Sequence, residues 1–209
     1  MDVKTVINNI IALYERLGSA DYIGEKVSQY QHALQSAMCA MNDKELIHYD
    51  EFTRNCVIVA AFSHDIGHLI GMDKGKKEML DGTGKSLGVV SHEQIGAEYL
   101  KEIGFPSLVS HLVKNHVNSK RYLCSVNSAY RGNVSAASLS TLQLQGGLMS
   151  EDEIKKIRGI EALQLCIKIR LYDDDAKKVN FFTEASFNEN LDKVIDIMKK
   201  LLVLGKIFI

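Results

Sequence analysis

Apolar residues return every three to four positions along most of this chain. Val3, Val6, Ile7, Ile10, Ile11, Leu13, Tyr14 and Leu17 mark one face of a helix, and Gly18 is a natural stop. A second helix is expected from about Val27 past Met38, and a third from about Tyr49 into the run Cys56-Val57-Ile58-Val59-Ala60-Ala61-Phe62. That run is β-branched enough to suit a buried strand, but its neighbours have helical spacing, so it reads as a core helix. Pro106 opens another helix through about His116, and further helices follow at roughly 151–158, 160–174 and 187–203.

The stretch 71–90 interrupts this pattern. Gly71, Gly75, Gly82, Gly84 and Gly88 sit among Lys and Asp, which predicts a loop or lid too flexible to be a packed element. Helix is expected to resume at Ser91-His92-Glu93-Gln94, an S-x-x-Q capping box. Gly146-Gly147 marks a turn, and Ser150-x-x-Glu153 is a second capping box. With a single proline, no internal repeat and no linker, the chain reads as one all-α domain over residues 1–209, a helical bundle whose last segment, 178–209, is also helical.

Composition narrows the function without naming it. A length of 209 residues, 46% hydrophobic, suits a soluble chain with its own core. Lys and Arg total 25 against 26 Asp and Glu, so the excess of cations that a nucleic-acid surface needs is missing. Cys39, Cys56, Cys124 and Cys166 lack any C-x-x-C spacing and read as buried free thiols. The start MDVKTVINNI has no signal-peptide pattern, and no apolar stretch approaches the roughly 20 residues of a membrane span, so a cytoplasmic location with no membrane role is expected. The apolar tail Leu201–Ile209 is expected to pack into the core or a dimer contact; composition leaves the oligomeric state open.

Candidate chemistry lies in the histidines. His64-Asp65 closes a very apolar helix and is followed by Ile66-Gly67-His68. A carboxylate buried beside Phe62 is costly unless a cation compensates it, although an H-D pair alone fits a solvated helix end equally well. His32, His92, His116 and Asp173 fall on other expected helices. Taken singly, each histidine is more often a core or surface residue than a ligand; in the order His, His-Asp, His, His, Asp on successive helices, they read as a metal site. Imidazole with carboxylate suits iron, manganese or zinc. Arg121 reads as a surface charge, and His48 and His111 match no motif.

The order His32, His64-Asp65, Asp173 resembles the HD superfamily of helical metal-dependent phosphohydrolases, and His92 and His116 resemble its dinuclear branch. A closer resemblance lies in Asp21-Tyr22-Ile23-Gly24-Glu25, Phe62-Ser63-His64-Asp65-Ile66-Gly67-His68, Asn115-His116-Val117, Lys120-Arg121-Tyr122-Leu123, Gln145-Gly146-Gly147 and Asp173-Asp174-Asp175-Ala176-Lys177. These segments are similar to the HD-domain mixed-valent diiron oxygenases that cleave organophosphonates, a family typified by the glycine-forming 2-amino-1-hydroxyethylphosphonate dioxygenases. The likeness runs from about Asp21 to Lys177, which would be the metal-binding core.

The resemblance implies two iron ions, one held by His32, His64, Asp65 and Asp173, the other by His92, His116 and the bridging Asp65. It implies that Tyr22 is a mobile ligand capping the second iron, with Glu25 as its hydrogen-bond partner. His68 and Lys120 would bind the phosphonate, with Ser138, Thr141 and Gln145 completing the pocket. The implied reaction uses O2 as co-substrate to cleave a small organophosphonate, such as 2-amino-1-hydroxyethylphosphonate, to glycine and phosphate. Two other readings stand beside it: an HD phosphohydrolase acting on a small phosphate ester or nucleotide through a metal-bound hydroxide, and a catalytically silent metal- or ligand-binding module. The Tyr22/Glu25 pair discriminates, since a hydrolase has no oxygen to guard against.

Overall fold

The computed structural model describes residues 2–19 and 26–205. At its centre lies α3 (Glu51–Ser63), in which every residue from Cys56 to Ser63 is buried. A helix apolar on all sides must be surrounded. It packs on α2 (Gln29–Asn42), α6 (Ser107–Val126), α10 (Leu163–Asp175) and α11 (Glu184–Gly205). Beside them α4 (Ile66–Asp73) crosses α5 (His92–Glu102), which runs against α6, while α1 (Val3–Leu17) lies on α11 and α4. Three shorter helices, α7 (Ser128–Asn133), α8 (Ala136–Leu144) and α9 (Glu151–Arg158), follow α6. Among the described residues this is an all-α fold whose one sheet is a small hairpin, and no helix is long and apolar enough to cross a membrane.

Several ends follow from local chemistry. Asp2 accepts from the Thr5 amide at 3.0 Å to start α1, which stops at Gly18 as expected. Ser28 caps α2, so that helix begins at Gln29, two residues later than its apolar pattern. The Ser150/Glu153 capping box forms on both sides, with Ser150 N–H to Glu153 at 2.9 Å and Glu153 N–H to Ser150 Oγ at 3.3 Å. All four cysteines are free thiols, and Cys39 alone is not fully buried.

Other expectations need correcting. The 71–90 stretch is a packed element after all: α4 reaches Asp73, and β1 (Glu78–Leu80) pairs antiparallel with β2 (Ser86–Val89) in a hairpin that buries Met79, Leu87 and Val89. Three of the glycines in this stretch, Gly75, Gly84 and Gly88, have positive φ, as its turns and bend require. The capping box at Ser91 does not form, because Ser91 itself is left-handed (φ 56°) and Gln94 bonds Glu98 instead. α6 runs ten residues beyond His116, since its buried face continues through Val117, Ser119, Lys120 and Cys124, where polar residues hid the apolar stripe. α10 starts at Leu163, after a left-handed Ala162. Of the apolar tail, Leu201 and Leu202 are buried and Val203 is exposed, while 206–209 lie outside the described residues.

Candidate metal centre

The break between α3 and α4 builds the centre. His64 ends α3 in helical conformation, and Asp65 leaves the helix (φ −103°, ψ 6°) before α4 begins at Ile66. Adjacent residues thereby point into one interior space, where α2 brings His32, α5 His92, α6 His116 and α10 Asp173, all buried. α4 and α5 approach closely at glycines: a Cβ on Gly67 would lie 1.9 Å from the His92 carbonyl oxygen. That crossing stacks the His68 ring on His92, centroids 3.8 Å apart and planes 18° from parallel.

Two groups of ligand atoms result, joined by one carboxylate. In the first, His32 Nε2 is 3.2 Å from His64 Nε2 and 3.4 Å from Asp173 Oδ1, and His64 Nε2 is 3.4 Å from Asp65 Oδ2. In the second, His92 Nε2 and His116 Nε2 are 3.1 Å apart, and they stand 3.2 and 3.4 Å from Asp65 Oδ1. Donor atoms about 2.0–2.2 Å from a shared cation lie roughly this far apart in tetrahedral or octahedral arrangement.

The protons agree with the distances. His32 Nδ1 faces the Ala176 carbonyl at 2.9 Å, His64 Nδ1 that of Ala61 at 2.8 Å, and His116 Nδ1 that of Val113 at 2.7 Å. Each Nδ1 carries the hydrogen, so each Nε2 turns a lone pair inward, the tautomer of a metal ligand. Lone pairs facing one another this closely repel unless a cation lies between them. Asp65 Oδ2 is buried without a hydrogen-bond partner among the described residues, a second sign that the donor set is built for metal. Both tests are met by the residues present.

Electrostatics points the same way. Burial pushes Asp65 up, but His64, His116 and His92 outweigh it and hold the carboxyl well below its usual range. Burial likewise opposes ionisation of Asp173, and Arg170, Lys177 and His32 overcome it. Burial depresses His64, yet Asp65 and Asp173 raise it to about 9: the field that would hold a metal draws a proton instead. His68, buried beside His92, falls well below the ordinary histidine value.

Next to the second group lies a cavity of about 30 Å³, lined by His68, Lys120, Ser138, Thr141, Gln145 and Arg170 among others. Lys120 is buried and donates to Thr141 Oγ1 at 2.9 Å; burial and Arg170 push it down to about 7. Gln145 Oε1 is buried with no partner among the described residues. The expected ligands and pocket residues thus converge, apart from Tyr22 and Glu25, which lie outside the described residues. His68 is close enough to join a metal group with Asp65 and His92, but its Nδ1 accepts the Val89 amide at 2.8 Å, so its Nε2 bears the hydrogen.

Sequence reasoning missed Arg170. Its guanidinium is buried, donates to Asp173 Oδ2 at 2.7 Å and to Ser138 Oγ at 3.2 Å, and is held by Asp174 and by Tyr130 Oη at 2.9 Å. A lone cation on the apolar face of α10 was the available signal. Arg121 also proves to be more than a surface charge. It donates to the Gly147 carbonyl at 3.0 Å and to Glu153 at 2.7 Å, tying the Gly146-Gly147 turn to α9.

The HD domain family profile matches residues 29–155, a span that holds every candidate ligand except Asp173 and the expected mobile ligand Tyr22. The chain is 39% identical to an uncharacterized protein of Acanthamoeba polyphaga mimivirus, over 82% of this chain and 72% of the viral one. It is 32% identical to the [1-hydroxy-2-(trimethylamino)ethyl]phosphonate dioxygenase (glycine-betaine-forming) of Leisingera caerulea, over 85% of this chain and 83% of that protein. It is also 32% identical to the hydroxymethylphosphonate dioxygenase of Gimesia maris, over 83% and 81% respectively.

Proposed function

The chain belongs to the HD-domain family, and on that premise we propose that it is a diiron oxygenase that uses O2 to break the carbon–phosphorus bond of a small 1-hydroxyphosphonate. The observation that carries this reading is Asp65, whose two oxygens serve two separate pairs of histidine Nε2 atoms beside the buried Lys120. His32, His64, Asp65 and Asp173 would hold one ion, and His92, His116 and Asp65 the other. Bound there, the metal pair would supply redox chemistry toward O2 and Lewis-acid binding of the substrate hydroxyl.

The remaining groups act on the anion. Lys120, with Thr141, Ser138 and Gln145, offers one cation and several hydrogen-bonding groups to phosphonate oxygens, and charge-assisted bonds of this kind are the strong ones. His68 adds a neutral N–H donor from the opposite wall. Met79, Leu87 and Val117 add apolar surface to the lining and help to exclude water. In this reading Tyr22 would be a further ligand of the second ion, with Glu25 as its hydrogen-bond partner.

Iron-loaded protein incubated with hydroxymethylphosphonate, 2-amino-1-hydroxyethylphosphonate and its trimethylammonium analogue tests the reading. Phosphate release from at least one of them, matched by O2 consumption and absent without oxygen, is the expected result. Tyr22→Phe is expected to abolish the visible phenolate-to-iron band of the oxidised protein and to speed unproductive oxidation. Phosphate release that continues without oxygen, with an unaltered spectrum in the variant, replaces this reading with hydrolysis.

A further inference from the structure

Five histidines surround Asp65, and one of them is turned the other way round. His32, His64 and His116 set Nδ1 against carbonyl oxygens, while His92 Nδ1, 3.6 Å from the Glu93 carboxylate, has no hydrogen-bond partner among the described residues. His68 Nδ1 instead receives the backbone N–H of Val89. A nitrogen that accepts a hydrogen bond carries no hydrogen, so His68 is neutral and its proton sits on Nε2. Position alone would not keep this ring off a metal. Its Nε2 lies 3.9 Å from Asp65 Oδ1, no wider than the 3.9 Å that separates His32 Nε2 from Asp65 Oδ2 in the first group.

We propose that the β1–β2 hairpin is a working part of this site: through the Val89 amide it fixes His68 in the Nε2–H form, keeping it out of the metal shell and making it a permanent donor to substrate. The second half of that statement rests on the phosphonate reading; the first does not. The hairpin is seated firmly enough for the task. Val89 is fully buried against α4 at Gly71, where a Cβ would come within 2.5 Å of Val89 Cγ1. Met79 and Leu87 are buried over the cavity, and the Val90 N–H closes the base of the hairpin on the Lys77 carbonyl at 2.9 Å. The glycines of 71–90 therefore serve close packing and a turn, and they deliver one amide to one ring nitrogen. Val89 acts as a positioning residue through its main chain.

The proton is visible to nitrogen NMR of the full-length, zinc-substituted protein labelled in its histidines, with resonances assigned by single substitutions. His68 is expected as the neutral Nε2–H tautomer, and His32, His64 and His116 as Nδ1–H forms with metal-bound Nε2. His68 found with its hydrogen on Nδ1, or with a metal-shifted Nε2, overturns the proposal whether or not any phosphonate is turned over. Val89→Pro removes the donor, and Gly71→Ala displaces the strand by pressing on the Val89 side chain. In either variant that remains folded, His68 is expected to lose its single tautomer. The KM for the phosphonate turned over by the wild type is expected to rise about tenfold, the loss of one hydrogen bond to a charged group, with a smaller change in kcat. An unaltered His68 tautomer in Val89→Pro also overturns the proposal. Turnover that fails in the wild type while the tautomer is as expected removes the phosphonate reading and leaves the positioning role intact.

Discussion

Arg170 decides which oxygen of Asp173 faces the centre: Nη1 donates to Oδ2 across 2.7 Å, leaving Oδ1 3.4 Å from His32 Nε2. The two lie one helical turn apart on α10, and Asp174 with Tyr130 stops the guanidinium from following another partner. Such outer partners of a metal ligand usually matter nearly as much as the ligand. Arg170→Met is expected to weaken metal binding at the His32/His64 site by roughly 10- to 100-fold, and to spare the His92/His116 site. Arg170→Lys should recover only part, lacking the planar fork that holds Ser138 and Asp173 together. Anaerobic metal titration with a spectroscopic probe of each site checks this, and equal weakening of both sites would contradict it.

Asp65 and Asp173 differ in a way that metal analysis can read. Asp65 gives one oxygen to each group, so Asp65→Ala is expected to lower the content of both metals together. Of the candidate ligands among the described residues, Asp173 lies within 4.0 Å of His32 and His64, in the first group, so Asp173→Ala is expected to deplete one metal and leave the other. An Asp65→Ala protein that retains both ions with native affinity refutes the bridge.

Helical spacing made most of the fold legible, down to the residue at α1 and α9, because capping groups and glycine stops act locally. The five histidines and two aspartates were legible as chemistry, and the structure brings them together. What stayed hidden depended on contacts between segments distant in sequence. The hairpin looked like a flexible loop because its order comes from Met79, Leu87 and Val89 packing on α4 and the cavity rather than from local propensity. The tautomer of His68 depends on an amide 21 residues away. The role of Arg170 depends on Tyr130, 40 residues distant, and on which Asp173 oxygen it meets. The extension of α6 was masked because its buried face carries the polar residues Ser119 and Lys120, the latter lining the cavity.

Lys120 gives the pH dependence a sign. Its buried ammonium is destabilised by desolvation and by Arg170, so its pKa falls from the ordinary lysine range to about 7. Below that value it is charged and can pair with a phosphonate; above it the amine is neutral. Apparent affinity for the phosphonate is therefore expected to weaken as pH rises through about 7. Lys120→Arg, which stays charged, should flatten that step even if its absolute affinity is lower. Stability has the opposite slope. A folded pKa below the unfolded one means the unfolded chain binds more protons between about 7 and 10.5, so this residue's contribution to stability rises with pH there and is lost as pH falls through about 7. KM measured across pH for wild type and Lys120→Arg decides the first point, since parallel profiles would exclude Lys120 as the titrating group.

Gly67 sits between two ligands and touches neither chemically, yet its missing side chain sets their spacing. An added Cβ would come within 1.9 Å of the His92 carbonyl oxygen and 2.8 Å of the Gly96 nitrogen, both backbone atoms that no rotamer change can move. Gly67→Ala must then push α4 away from α5, carrying His68 off the His92 ring and Asp65 off its second pair of histidines. Overpacking of a buried site typically costs about 1–3 kcal/mol, and a clash with main chain belongs at the upper end. In a chain of this size that corresponds to a fall in Tm of roughly 5–10 °C. Gly132, in α7, has open space where its Cβ would be and no positive φ. Gly132→Ala should leave Tm unchanged or slightly raised, by reducing the freedom of the unfolded chain. The more telling measurement is metal content. The His92/His116 site should lose its ion before the His32/His64 site does, because α5 moves relative to Asp65 while α2 and α3 do not. A Gly67→Ala protein with both ions bound and native Tm would mean that the α4–α5 crossing is not what brings the second pair of histidines to Asp65.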